Sequence, residues 1–248
     1  MGQPLNSPQL QRIAITPAQQ HDRHIDLNSQ QIHYLSRVLR LKPGDRFIAL
    51  NGQGQWWLAE LADDTSATVL ESIPIHTELS RSVILLVAMP KGNGMDDIVR
   101  QVTELGVATI VPLLSDRTLL HPSPHKLERW RRIAQEATEQ SERQLIPTVT
   151  EPRSLGQAIE TWNSETAHCY LCLARGSHPH LLGCLQTAQP QTPIVLATGP
   201  EGGWTPTEVD QAIAASYQPV SLGKRVLRTL TAPAMALALI AARLESDG

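Results

Sequence analysis

Two segments near the C-terminus hold the side chains best suited to chemistry. In Thr198-Gly199-Pro200-Glu201-Gly202-Gly203-Trp204, three glycines fall within five residues around a single carboxylate, Glu201. Glycines let bare backbone approach a ligand closely, and Glu201 is the acid such a loop would present to it. The spacing is neither that of a phosphate-binding loop, which needs a following Gly-Lys-Ser/Thr, nor that of a dinucleotide fingerprint. A strand-to-helix connection without a ligand is the other reading of the same spacing. The second segment, Ser221-Leu222-Gly223-Lys224-Arg225-Val226-Leu227-Arg228-Thr229, places three cations within five residues ahead of an apolar run. It reads either as a solvated basic loop or as a cationic wall to which a helix N-terminus adds donors.

Other chemistries find less support. Cys169-Tyr170-Leu171-Cys172 has the C-x-x-C spacing but lies in an apolar strand, where alternate residues face opposite sides. The loosely placed His178, His180 and Cys184 do not complete a tetrahedral zinc site. The nine histidines form no H-E-x-x-H, and no G-x-S-x-G nucleophile elbow occurs, so no metal and no serine nucleophile is expected.

The elements around the two segments alternate between strand and helix. Val83–Met89, Val107–Leu114, Cys169–Ala174, Ile194–Thr198 and Val220–Leu222 read as short buried strands. Asp96–Leu105, stopped by Gly106, and Lys126–Arg143 read as amphipathic helices. Thr205, Pro206 and Glu208 mark a helix start with a capping box, and Trp204 with Val209 forms a hydrophobic staple. A final apolar helix, Pro233–Leu244, should be buried against the sheet or a partner subunit. This alternation predicts a mostly parallel α/β sheet, which binds ligands at loops leaving the carboxyl ends of its strands. Both chemical segments leave such strand ends.

Residues up to about 75 differ. Arg46–Ala49 and Trp56–Leu61 read as strands joined by a turn at Asn51-Gly52-Gln53-Gly54, with one helix at Ser29–Leu41. On that helix His33, Arg37 and Arg40 share a face opposite Ile32, Leu35 and Leu39, a basic stripe suited to phosphate or to plain solvation. Pro74 and His76–Ser82 make a linker, giving expected domains at 1–75 and 80–248. Net charge is −3, so nucleic-acid contact would rest on local patches. Arg12, Arg117, Arg129, Arg132 and Arg143 are further phosphate candidates. The start, MGQPLNSPQLQRI, shows no signal core, and Asn6 breaks a myristoylation pattern. No apolar stretch reaches the length of a membrane span and three cysteines make no disulfide framework, so a soluble cytoplasmic chain is expected.

Taken together, the motifs resemble those of the SPOUT methyltransferase superfamily, and specifically the ribosomal RNA small subunit methyltransferase E family. G-P-E-G-G followed by L-G-x-R-V-L-R-x-x-T-A is similar to its C-terminal pattern. His33-Tyr34-Leu35-Ser36-Arg37-Val38-Leu39-Arg40 with Gly44-Asp45, Thr103-Glu104-Leu105-Gly106-Val107 with Pro112, and Glu139-Gln140-Ser141 with Arg143 and Pro147 resemble three further family segments in order. The resemblance implies an N-terminal PUA-like β-barrel for RNA contact and a C-terminal α/β domain with a deep trefoil knot. It implies S-adenosylmethionine as cofactor, small-subunit ribosomal RNA or the assembled subunit as partner, a homodimer, and methylation of uridine N3. A non-catalytic RNA-binding assembly factor, or a related methyltransferase acting on another RNA, is the alternative. Carried over residue by residue, Leu173, Thr198, Gly199, Pro200, Gly202, Gly203, Leu222, Gly223, Val226, Leu227 and Thr231 would hold the cofactor. Glu201, Arg225 and Arg228 would serve catalysis, with Glu201 as base or as a carboxylate that shapes the pocket. Arg12, His33, Arg37, Arg40, Arg117 and Arg143 would contact RNA. The chain departs from the family at Leu230, where a Glu is usual, which leaves Glu201 as the acid in the pocket.

Overall fold

The computed structural model describes residues 10–118, 122–188 and 191–246. Most of the N-terminal stretch read above, Asn6 included, lies outside them. The chain divides into two compact units: Met1–Thr77 with Thr138–Leu145, and Glu78–Ala137 with Ile146–Gly248. A single boundary near residues 75–80 does not anticipate the return of Thr138–Leu145 to the first unit.

In the first unit, β1 (Arg12–Ala14), β2 (Gln20–His21), β3 (His24–Asp26), β4 (Arg46–Leu50), β5 (Trp56–Leu61) and β6 (Ser66–Ile73) form one sheet in the order β1-β4-β5-β6-β3-β2. All pairs are antiparallel except β1 with β4. The Asn51 turn between β4 and β5 holds because Asn51 Oδ1 accepts from the amides of Gln53 (2.9 Å) and Gln55 (3.1 Å). Trp57, Ala59 and Leu61 enter the core with Phe47 and Ile25, whereas Trp56 faces the other side, as the period of two requires.

The helix expected over Ser29–Leu41 is shorter. Asn28 caps α1 (Ser29–His33), after which Tyr34–Val38 widens into a π-helical turn, with the Leu39 amide reaching the Tyr34 carbonyl at 2.9 Å. Arg40 lies beyond it with φ of 59°. His33, Arg37 and Arg40 are all exposed. The 100° spacing that put them on one face does not apply, since a π turn holds more residues per revolution than an α turn.

In the second unit, β7 (Val83–Ala88), β8 (Thr109–Leu114), β9 (Thr148–Val149), β10 (Arg153–Ser154), β11 (His168–Cys172), β12 (Ile194–Thr198) and β13 (Gln218–Val220) build a wholly parallel sheet. Its order is β10-β8-β7-β12-β11-β13, with β9 also paired to β8. Val83, Leu85 and Val87 face one apolar cluster and Ile84, Leu86 and Ala88 face the other, which is why β7 reads as one unbroken apolar run. α2 (Gly94–Glu104), α3 (Pro124–Gln140), α4 (Leu155–Thr161), α5 (Leu181–Gln186), α6 (Pro206–Ala214) and α7 (Thr231–Glu245) connect and cover the strands. Gly106 stops α2 with φ of 88°. α7 buries Ala236, Leu237 and Ile240 and packs on α2 and α5, but Met235 stays exposed, so it is not buried all round.

Arg143 requires a correction. The helix expected to run to Arg143 ends at Gln140, Glu142 turns the chain with φ of 59°, and Arg143 is only 3% exposed. A guanidinium that deep in the protein does not reach a phosphate in solution.

Candidate functional site

A cavity of about 820 Å³ opens at the carboxyl ends of the parallel strands. Cys172, Leu173, Ala174 and Arg175 leave β11; Thr198 to Trp204 leave β12; Leu222 to Leu230 lie between β13 and α7; Arg117 joins from beyond β8.

The Gly-rich loop is held by local chemistry. Thr205 caps α6, its hydroxyl accepting from the Glu208 amide at 3.2 Å while Glu208 Oε2 accepts from the Thr205 amide at 2.8 Å. Ahead of the cap, the Trp204 indole packs over Gly199 and donates to the Cys172 carbonyl at 3.2 Å. A Cβ at Gly199 would press on that ring at 3.0 Å. Gly203 turns the chain with φ of 69°, its amide donating to the Pro200 carbonyl at 2.9 Å. Glu201 Oε1 accepts from the backbone amide of Lys91, beyond β7, at 3.0 Å, while Oε2 has no partner among the described residues. Thr198 lines the cavity, but its hydroxyl is closed off from the open space and has no hydrogen-bond partner among the described residues.

Electrostatically the mouth is cationic. Arg117, Arg175, Arg225 and Arg228 line it against one carboxylate, Glu201. Arg117 donates through Nη1 to the Gly202 carbonyl. Cys172 is also among the residues around the cavity; its side chain packs on the apolar core, and burial pushes the thiol pKa up to about 12. Cys169 belongs to the opposite apolar cluster, with its pKa pushed up to about 11, so the two thiols of the C-x-x-C motif face different sides of the sheet.

Leu173, Thr198, Gly199, Pro200, Glu201, Gly202, Gly203, Leu222, Gly223, Arg225, Val226, Leu227 and Arg228 thus lie together around one cavity. Thr231 is not among the lining residues; it begins α7, its amide bonded to the Arg228 carbonyl. Arg117, an expected RNA contact, is exposed and lines the cavity. Arg12 pairs with Glu142 at 2.8 Å and stacks over the Trp56 ring at 5.6 Å. Arg129 and Arg132 are engaged by Asp96 (2.8 Å) and Glu136 (3.5 Å). Sequence reasoning missed Arg175 and Trp204 as cavity walls. Their sequence signal was position alone: each directly follows the end of a predicted strand or a Gly-rich loop.

A family model described as an RNA methyltransferase domain matches residues 77–241, and one described as an RNA methyltransferase PUA domain matches residues 27–71. The chain is similar to ribosomal RNA small subunit methyltransferase E of Synechocystis sp., at 48% identity covering 95% of this chain and 78% of that protein. The protein of the same name from Bacillus subtilis is 29% identical, covering 88% and 90%. A crystal structure of ribosomal RNA small subunit methyltransferase E from Neisseria gonorrhoeae bound to S-adenosyl methionine aligns with a TM-score of 0.84 at 29% identity, covering 94% of this chain and 97% of that one.

Proposed function

The chain belongs to the ribosomal RNA small subunit methyltransferase E family, and on that premise we propose that it methylates N3 of a uridine in small-subunit ribosomal RNA, using S-adenosylmethionine. The observation that carries the reading is the cavity at the strand ends, with its bare Gly-rich backbone and the four arginines that line it.

That cavity fits the cofactor. An adenosyl group with its amino-acid tail joins a flat, largely apolar ring to polar edges and charged ends. Leu173, Val209, Leu222 and Leu227 supply apolar wall, and the Gly199–Gly203 backbone supplies close amides and carbonyls. At about 820 Å³ the space suits a ligand of that size. When bound, S-adenosylmethionine supplies an electrophilic methyl group.

The chain's own residues do the rest. Uridine N3 carries a weakly acidic proton, and the anion formed on losing it spreads its charge over the flanking carbonyls. Arg225 or Arg228, both at the mouth, stabilises that charge electrostatically. Glu201 Oε1 is tied to the Lys91 amide, which supports a pocket-shaping role, while Oε2 remains able to accept the proton or orient the base edge. Exposed His33, Arg37 and Arg40 contact RNA phosphates from a PUA-like barrel at residues 1–75, joined by Thr138–Leu145, and the rest of residues 80–248 form the methyltransferase domain with its trefoil knot. Exposed apolar side chains at Val226, Leu230 and Met235 support a homodimer that completes the site. The setting proposed is the cytoplasm, and no described helix is long and apolar enough to cross a membrane.

The test is transfer of labelled methyl from S-adenosylmethionine to small ribosomal subunits from cells lacking this protein, followed by nucleoside analysis. Label in 3-methyluridine is expected. Label in another nucleoside would overturn the N3 assignment. Absence of both label and cofactor binding would turn the reading to a non-catalytic assembly factor, in keeping with Leu230.

A further inference from the structure

Glu208 is buried, 3% exposed, and both of its carboxylate oxygens are engaged. Oε2 accepts from the Thr205 amide (2.8 Å) and hydroxyl (3.1 Å), completing the cap of α6. Oε1 does something a cap does not require: it accepts from the backbone amide of Asp116 at 3.0 Å, across 92 residues of sequence. The Thr205 hydroxyl also lies 3.0 Å from Asp116 Oδ2. The next residue, Arg117, donates to the Gly202 carbonyl and lays its Cδ 3.0 Å from where a Cβ at Gly202 would stand. One buried carboxylate therefore fastens the segment beyond β8 to the start of α6, and Arg117 fastens that segment to the middle of the Gly-rich loop.

We propose that Glu208 is a positioning residue: through Asp116 and Arg117 it holds the Gly199–Trp204 loop in the shape that receives the cofactor. The proposal rests on the methyltransferase reading for its consequence, but not for its structural content. Carboxylates that accept several backbone donors in a dry setting are costly to replace, because each lost partner leaves a buried donor unsatisfied. In Glu208→Gln one acceptor oxygen becomes an amide donor facing another donor. Arg117→Met keeps the clasp and removes its grip on Gly202.

The test is hydrogen exchange of the backbone amides in residues 199–204, with S-adenosylmethionine affinity measured by calorimetry on the same proteins. E208Q and R117M should each speed exchange there about tenfold, the loss of roughly one hydrogen bond. The double variant should be no faster than the faster single one, since both act through one chain of contacts. Ser154→Ala is the control: it removes a comparable capping box, on α4, with no link to Asp116, and should leave residues 199–204 at the wild-type rate. Thr205→Ser, which keeps the hydroxyl, should also match wild type. Cofactor affinity should fall about tenfold in E208Q and R117M alone. Faster exchange confined to residues 206–214 in E208Q, or effects of E208Q and R117M that multiply in the double variant, would overturn the proposal. Should E208Q not fold, R117M and Asp116→Pro, both at exposed positions, give the same reading, since proline removes the amide that Glu208 Oε1 accepts. Exchange behaving as expected while the wild type takes up no S-adenosylmethionine would sink the methyltransferase reading and leave the clasp standing.

Discussion

Replacing Gly199 with alanine tests whether packing of the Trp204 ring sets the geometry of the pocket. A Cβ at 199 would stand 3.0 Å from Trp204 Cε2 and Nε1 and 3.3 Å from Cδ1. Ordinary van der Waals contact begins near 3.4 Å, so the indole must give by a few tenths of an ångström. It has little room to do so: Trp204 is 9% exposed, sits in the apolar cluster beneath α6, and donates to the Cys172 carbonyl at 3.2 Å. Withdrawal weakens that bond, at about 1 kcal/mol, and overpacks the cluster, at about 1–2 kcal/mol. The sum, roughly 2–3 kcal/mol, corresponds to a loss of roughly 30- to 140-fold in S-adenosylmethionine affinity if the loop must keep its shape to bind. The melting temperature should fall by roughly 5–10 °C for a chain of this size. Gly203→Ala separates the two roles of glycine, because φ is 69° there and nothing lies within 4 Å of the new Cβ. It should cost about 1 kcal/mol of backbone strain and about fivefold in affinity. Calorimetric titration and near-ultraviolet circular dichroism of the tryptophans read both variants. Wild-type affinity and an unchanged aromatic signal in G199A would refute the packing argument. A larger loss in G203A than in G199A would show that backbone conformation dominates.

Glu201→Gln keeps a carbonyl oxygen for the Lys91 amide, so a pocket-shaping Glu201 leaves turnover within about threefold, whereas Glu201→Ala lowers cofactor affinity about tenfold. Loss of turnover in E201Q at unchanged affinity would instead make Glu201 the base. Arg143→Met should cost about 2–3 kcal/mol in urea unfolding because the side chain is buried. Arg37→Met should leave stability within about 0.5 kcal/mol while reducing the salt slope of RNA binding by roughly one; the reverse pattern would restore Arg143 as the RNA contact. Cys169 and Cys172 have pKa values raised from 9.0 to about 11 and about 12 by burial, so the folded state holds protons that the unfolded chain releases. Their contribution to stability is therefore intact below about 9 and is lost as the pH rises through 11–12. A C169A/C172A variant should show a shallower alkaline decline in melting temperature, and an unchanged slope would exclude the thiols as its cause.

Local chemistry was legible in the chain itself. The Thr205–Glu208 capping box, the Gly106 stop of α2, the Asn51 turn and the apolar run of β7 each depend on residues a few positions apart or on one repeating period, and the structure shows all four. The grouping of the Gly-rich and Arg-rich loops was legible for a related reason: a parallel sheet delivers its strand-end loops to one edge, so strand assignment alone brings them together.

Tertiary structure decided the rest. β2, β9 and β10 are two residues long, too short to carry a period, and exist because a neighbouring strand offers partners. The π turn at Tyr34–Val38 leaves the helical pattern of the sequence intact while changing where its side chains point. Whether an arginine serves solvent, a cavity or the core is invisible in its own neighbourhood: Arg37 is exposed, Arg117 caps a loop carbonyl 85 residues away, and Arg143 is buried. Glu208 reads as a helix cap in sequence because one of its oxygens acts within three residues. Its other oxygen binds an amide 92 residues distant, and only the folded chain brings that amide within reach.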